Sequence, residues 1–538
     1  MNAHSPRQLV AALGTLSVLG CVGCGPGFRD GTPSLQPTDA DVPLTRVLDV
    51  ALGAPARVQV DIRDSRGDRS LFLDEPADRH AIPLLGFRPN DEVELTVTAT
   101  DDLGGSWSRD LAFEIGELPS PFPLVDVLVH DRARREPGLR LMPIELADNT
   151  TSSVYVMALD EGYEPVWVWA ATQQLGVVRQ LGSGSFLGLG GALESEVVWE
   201  VSPIGEILRQ WGQERAPIVE VDRYVEIGGG ELHHELLPLP EGGFLTFGTE
   251  HVEVEAFPCR YPDPTDDCGP ATLIDNPLLR FAADGTLLES WSLVERLDSF
   301  RISFDALDEK DGAFDWGHAN GIAHHPDGGL LVSLRNQDAM VYLSEDGDVE
   351  WILGDHAGWR PPLDALVLEP EGELDWAYHQ HGPVFDDEGV LWVFDNAGTR
   401  RTPYAPREEA EGQYISRVVG YAIDAEAGTV RQVGSFDQTA TGSLFSRLIG
   451  NADVMPETGN VLGLYGTVIY ENGVLMEDLG LGYRAVRMVE WTRGGQLVSD
   501  ARLRSDVNID PDGWRSYRAI HIPSMYPEGS GIRLEWAP

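Results

Sequence analysis

Residues 315–335, DWGHANGIAHHPDGGLLVSLR, place the apolar run Leu330-Leu331-Val332 between His318 and Asn320 on one side and Arg335 on the other. Burying such groups without partners costs roughly 2–7 kcal/mol each, so they must face water, a ligand or one another. The pattern recurs along the chain. In LHHELLPLPEGG, His234 lies 9 residues before Gly243, and His318 lies 11 before Gly329. In HQHGPVFDDEG, His381 lies 8 before Gly389, and in GNADVMPETG, Asn451 lies 8 before Gly459. An imidazole has an ordinary pKa of about 6.5, so near neutral pH it carries a lone pair that can attack an electrophile or take a proton. Arg335 is permanently charged and presents a fork suited to the oxygens of an oxyanion. Three imidazoles and a guanidinium around one small ligand would do nucleophilic and acid–base chemistry on an anionic group, with His379, Asn320 and Asn451 as candidates for holding it.

Such side chains need a scaffold that brings distant segments together. Gly-bearing turns close the hairpins LPEGGFLTF, FAADGTLLESW, HPDGGLLVSL, LSEDGDVEWIL, FDDEGVLWVF and MPETGNVLGLY, with Gly where the turn wants positive φ. The gaps between Gly243, Gly329, Gly389 and Gly459 are 86, 60 and 70 residues, so the chain from 120 onward holds six such units. Repeated four-stranded sheets arranged radially make a β-propeller, in which equivalent positions converge on the axis. His318 and Asn320 are then expected at a wet central channel. Two long loops, across 248–280 and 296–314, interrupt the repeat. Upstream, RVLDVAL, ARVQVDI, EVELTVTATD and DLAFEIG alternate apolar and polar residues, which predicts a small β-sandwich over 43–118. ELPSPFP (117–123) leads out of it, and the propeller domain takes 119–538. The expected fold is all-β, a six-bladed propeller behind a small sandwich.

Asp and Glu number 87 against 39 Lys and Arg, a formal net charge of −48. That excludes nucleic acid and an anionic membrane surface as direct partners, since both demand a basic face. An anionic substrate must be held by a locally positive site. At the N-terminus, Arg7 precedes the apolar stretch LVAALGTLSVLG, too short to span a bilayer, and Cys21 follows Val18-Leu19-Gly20. This reads as a lipoprotein-type signal peptide over 1–20, lipidation of Cys21 and a flexible tether over 21–42. The protein is expected to be exported and anchored by lipid, facing the periplasm or the cell surface. Cys259 and Cys268 in CRYPDPTDDC suit a disulfide closing a surface loop, and no second Cys or His pair stands at zinc-ligand spacing.

ELHHELLPLPEGG, DWGHANGIAHHPDGGLLVSLRNQDAMVYL, VEWILG, HQHGPVFDDEGVLWVFDNAGTR and GNADVMP, in that order, resemble the bacterial aryl-sulfate sulfotransferases. The similarity covers most of 120–538, with its motifs within 231–465. It implies an exported enzyme with a small β-sandwich before a six-bladed propeller. The implied activity is transfer of a sulfuryl group from a phenolic sulfate ester to an acceptor phenol, by ping-pong kinetics through a sulfohistidine. By motif, His381 matches the nucleophile, and His234, His318 and Arg335 match the groups around the sulfonate; His234 is chosen over His233 because it directly precedes the acidic residue. His379 departs from the family, where an Arg is frequent. No metal, nucleotide donor or other cofactor is required. The oligomeric state stays open, a homodimer included.

Bland roles are expected for several neighbours: His324 and His325 exposed at a turn, Asn396 and Arg400 capping a strand's exit turn, and Trp316, Trp376 and Tyr378 packing in the core. Two other function classes fit the same residues. One is a metal-dependent propeller hydrolase or lactonase using the histidines with Glu235 and Asp315. The other is a non-catalytic surface binding module.

Overall fold

Turn glycines set the hairpins as the sequence predicts: Gly243, Gly329, Gly389 and Gly459 have φ of 84°, 69°, 78° and 67°. The computed structural model describes residues 27–29, 31–38, 40–147, 153–171, 174–192, 195–213, 223–258, 269–303, 305–307, 309–398, 414–471, 474–475, 482–506 and 512–537. The 1–20 signal segment, Cys21, the Cys259–Cys268 loop and Arg400 lie outside the described residues. Strands dominate, and the described helical pieces are short 3-10 turns such as Arg335–Gln337.

Among the described residues, six sheets contribute inner strands to a ring, and the chain is all-β with a propeller at its centre. Their second strands are apolar along both faces, as in Leu330–Leu334, where all five residues are buried. A strand covered on both sides by neighbouring sheets reads as a continuous apolar run, and each fully buried Leu or Val contributes about 1.5–3 kcal/mol. The innermost strands are Val177–Gln180, His233–Pro238, Ala319–His324, His381–Phe385, Asn451–Val454 and Ile520–Ile522. Each touches the next, and the ring closes through Leu139–Leu146, which touches both Ile520–Ile522 and Val177–Gln180. Closure is doubly clasped. Ile520–Ile522 and Trp514–Arg515 pair with Leu139–Leu146, so the C-terminal segment supplies the inner edge of the first sheet. Leu124–His130 pairs with Leu497–Arg504, so an N-terminal strand supplies the outer edge of the last.

Two expectations are corrected. The segments 248–280 and 296–314 are not separate loops. Glu250–Val254, Ala271–Asp275, Glu309–Lys310 and Ala313–Phe314 join in one accessory sheet, because the parallel bridge Leu273 to Phe314 ties the two insertions together. The tether also ends earlier than residue 42. Ser34–Pro37 pairs with Arg46–Asp49, and Val42 is fully buried, since an apolar side chain beside a ready sheet edge is better packed than solvated.

The N-terminal unit is built on a long hairpin of Arg46–Asp64 and Gly67–Leu84, whose register breaks near Ala51, Ala56 and Val58. One half carries Ser34–Pro37. The other pairs with Glu92–Thr100 and, through it, Ser106–Glu114. Arg533–Trp536 adds to its edge, so the chain's C-terminal end belongs to this unit rather than to the propeller. One apolar core runs from Val42 and Phe87 into Trp167 and Met488 of the ring. The Tyr526 hydroxyl accepts from Leu85 N at 2.8 Å and donates to Pro83 O at 3.0 Å across the junction.

Candidate functional site

The inner strands carry the site because their first residues break regular β geometry. His234, His318, His379 and Ile449 all have positive φ, 62°, 49°, 53° and 54°. Non-glycine residues rarely adopt this conformation, and a β-branched one such as Ile449 is an outlier. These four positions lie 9, 11, 10 and 10 residues before the turn glycines. They are therefore the true repeat. His381 and Asn451, aligned by spacing with His234 and His318, sit two residues further along. The pairing register also slips at His233/Leu236, Ala319/Gly321 and His381/Val384, whereas Asn451–Val454 pairs without a slip. Bulges re-aim side chains, and here they mark the three strands that bear the histidines.

Three imidazoles are held in the same way. Asn396 donates through Nδ2 to Ser446 O at 2.8 Å and Ile449 O at 2.9 Å, so its Oδ1 accepts from His381 Nδ1–H at 2.7 Å. His318 Nδ1–H donates to Asp315 Oδ2 at 2.7 Å. His233 Nε2–H faces Gly248 O at 2.9 Å, which leaves its Nδ1 to accept from His234 Nδ1–H at 2.7 Å. In each neutral ring the free lone pair is then on Nε2. His234 rather than His233 meets the other imidazoles: its ring centroid lies 4.8 Å from that of His318 and 6.0 Å from Tyr517. Tyr517 also lies 6.2 Å from His381.

Arg335 approaches from the strand after His318, and its backbone N donates to His318 O at 3.2 Å. Its Nη1 donates to Asp305 Oδ2 at 3.0 Å, and the same oxygen accepts from His379 Nε2 at 3.0 Å. A guanidinium and an imidazole thus clamp one internal carboxylate, as they would an external oxyanion.

The structure brings His234, His318, Arg335, His379 and His381 together and places the two asparagines otherwise. Asn451, expected beside a substrate, uses its amide hydrogens on Ala452 O and Ala519 O and accepts from Ala519 N at 2.9 Å. It fastens one inner strand to the next. Asn320 is fully buried rather than channel-facing, and its Nδ2 donates to Gln380 O at 2.8 Å. Gly382 explains the tightness: a Cβ there would lie 2.2 Å from Asn451 Cβ. Asn396 does more than cap a turn, since it fixes the His381 tautomer. His325 is half-buried, wedged between Tyr342 and Phe385 with ring centroids 5.0 and 4.7 Å away, while His324 is exposed as expected. Trp316 is buried in the core.

Sequence reasoning missed Asp305, Tyr517 and Arg518. The Arg518 guanidinium is buried, donates to Asn320 O at 2.7 Å and to Glu235 Oε2 at 3.3 Å, and stacks on Tyr517 at 4.6 Å. Glu235 is further held by Arg179 at 2.7 Å, and Asp315 by Lys310 as well as His318. The two carboxylates offered as metal ligands are therefore already engaged by cations. Among the described residues, no three His, Cys, Asp or Glu side chains are grouped to hold a metal ion.

Burial sets the electrostatics. It pushes His233 down to about 4 and His234 and His381 well below the ordinary histidine value, with neighbouring imidazoles and Arg518 adding to the effect. His318 is lowered too, although Asp315 behind it pulls the other way. Hydrogen bonds hold two carboxyls low: His379 and Arg335 on Asp305, and, against its own burial, His318 and Lys310 on Asp315. Both carboxyls are thus held in the charged form, while burial disfavours the charged form of His233, His234, His318 and His381.

The model of the arylsulfotransferase (ASST) family matches residues 216–499, which include His234, His318, Arg335 and His381. The chain belongs to the arylsulfotransferase family. Arylsulfate sulfotransferase AssT of Escherichia coli O6:H1 is 25% identical over 342 residues, covering 54% of this chain and 52% of that protein. The chain spans about half the length of the curated relative it matches. Among solved structures, a Bacteroides caccae protein of unknown function aligns at 14% identity and a TM-score of 0.32, over 71% of this chain and 93% of that one. Virginiamycin B lyase from Staphylococcus aureus aligns at 9% identity and a TM-score of 0.30, over 71% and 99%.

Proposed function

We propose that the protein is an aryl-sulfate sulfotransferase that works without a nucleotide sulfate donor, moving a sulfuryl group from a phenolic sulfate ester to a phenol through a sulfated His381. The observation that carries this reading is the His381–Asn396 bond, which fixes a neutral imidazole with its lone pair on Nε2, beside His234, His318 and Arg335. In the first half, Nε2 bonds to sulfur as the ester S–O bond breaks. The bonding pair leaves with the phenolic oxygen, which takes a proton from His318. His318 acquires that proton as the anionic ester binds beside it, with Asp315 behind to stabilise the imidazolium. Arg335 turns its fork to the sulfonate oxygens, where charge is spread in the transition state. In the second half, His318 takes the acceptor's phenolic proton, the acceptor oxygen attacks sulfur, and the S–N bond breaks. His318 ends the cycle as it began.

The donor product must leave before the acceptor enters, hence ping-pong kinetics. The test mixes purified protein with a chromogenic aryl sulfate, with and without added phenol. Acceptor-dependent release supports transfer, whereas release to water alone makes the protein a sulfatase-like hydrolase. Mass spectrometry of donor-treated protein should find the added sulfuryl group on the peptide bearing His381, and His381→Asn should abolish it.

The same reading includes an exported protein carrying lipid on Cys21 and a Cys259–Cys268 bridge. Retention of full-length protein in the detergent phase, lost in Cys21→Ser, and a mass lower by two hydrogens in the unreduced peptide test these in turn.

A further inference from the structure

The histidines occupy only part of the ring. They come from the inner strands that begin at residues 233, 319 and 381, whereas the next strand presents Ile449 at the equivalent left-handed position. Beyond Ile449 lies a cavity of about 230 Å³, lined among others by Glu145, Leu175, Gly176, Ile449, Arg515 and Tyr517. Tyr517 belongs to both halves, since its ring also flanks His234 and His381. We propose that this cavity is the aryl subsite, which takes one phenolic ring carrying a second small hydrogen-bonding substituent. The proposal rests on the sulfuryl-transfer reading and names its substrate class.

Size and chemistry both point there. A cavity of about 150 Å³ suffices for benzene, so this one has room for a substituted ring. Leu175, Ile449 and the Tyr517 ring give apolar walls, with Tyr517 placed for an offset aromatic contact. Gly176 makes the room: a Cβ there would meet only Leu189 O and Tyr517 Cγ, both at 3.9 Å, so a larger side chain would fit the backbone and fill the space. The polar end is supplied by Glu145 and Arg515, which are paired with each other on opposed strands. Burial raises the Glu145 carboxyl. A ring hydroxyl can both donate to that carboxyl and accept from the guanidinium.

Calorimetric titration with the phenols themselves needs no turnover and separates this proposal from the transferase reading. The full-length protein should bind hydroquinone more tightly than phenol. Gly176→Leu should weaken hydroquinone at least tenfold with an unchanged melting temperature. Arg515→Met should erase the preference for hydroquinone over phenol, and Ile449→Ala, which removes an apolar wall, should weaken both. A wild-type protein that binds no phenol, or a folded Gly176→Leu that binds hydroquinone as well as wild type, overturns the subsite. If Gly176→Leu does not fold, Arg515→Met decides, and an unchanged preference for hydroquinone there overturns the subsite. Gly176-dependent phenol binding without any sulfuryl transfer would instead sink the transferase reading and leave the subsite in place.

Discussion

At the scale of single residues, reactivity depends on which nitrogen of each imidazole carries the proton. Asn396 is argued to act through His381, so it is a positioning residue. Asn396→Ala should lower the rate of His381 sulfation about 10–100-fold, as loss of an orienting partner does in metal-ligating histidines. Asn396→Asp keeps an acceptor oxygen but adds a charge that raises the His381 pKa. The acid limb of its kcat/KM profile should move to higher pH, a shift that a merely structural role would not produce. In the wild type that limb should lie below the ordinary histidine value, because burial keeps His381 unprotonated as pH falls. The histidines and Arg335 were legible in the sequence because few other jobs suit those types beside an apolar run. Asn396 was not, since an asparagine after a strand reads equally well as a turn cap. Arg518 and Tyr517 were invisible for another reason. The next strand after them, Arg533–Trp536, joins the N-terminal unit, so no apolar hairpin of the ring follows to complete the motif seen in the other units.

Elements explain why the spacing argument worked only in part. The six turn motifs revealed the repeat, since glycine at positive φ is a strong local signal. The equivalence of His379 with His234 and His318 was hidden, because register slips move residues along a strand without changing the sequence pattern. Turn glycines also differ in what they tolerate. Gly389 has open space around an added Cβ, so Gly389→Ala should cost only the strain of positive φ, about 1 kcal/mol. In Gly329→Ala the new Cβ would stand 2.6 Å from Leu343 O, so the loss of melting temperature in thermal denaturation should be clearly larger. The insertions are a third case. They read as loops, yet their accessory sheet positions Lys310 and Asp315, and the short turn Asp305–Leu307 between them reaches Arg335 and His379. Asp305→Asn removes the charge competing for that clamp. Inorganic sulfate should then inhibit aryl-sulfate turnover with an inhibition constant several-fold lower than in the wild type.

Across the whole molecule, four imidazoles whose charged form is disfavoured in the fold make stability depend on pH. The folded-state pKa values of His233, His234, His318 and His381 lie below that of an unfolded histidine, about 6.5. The unfolded chain therefore takes up more protons as pH falls, and stability drops on acidification, by about 1.4 kcal/mol per group for each unit between the two pKa values. Calorimetry should show a melting temperature that falls steadily from pH 7 toward about pH 4, where His233 itself titrates. A flat profile over that range would contradict the neutral cluster. The broad architecture was legible because strand periodicity and turn glycines are local. The clasps were not, because they pair segments 368 to 383 residues apart. That pairing has a bearing on the protein's early life. Tyr517 and Arg518, which touch both ends of the histidine cluster, arrive on the strand that shuts the circle. A nascent chain stalled anywhere short of them holds its imidazoles on separate, unjoined sheets. It would remain chemically silent, and would gain its reactivity only once that closing strand has been made and docked.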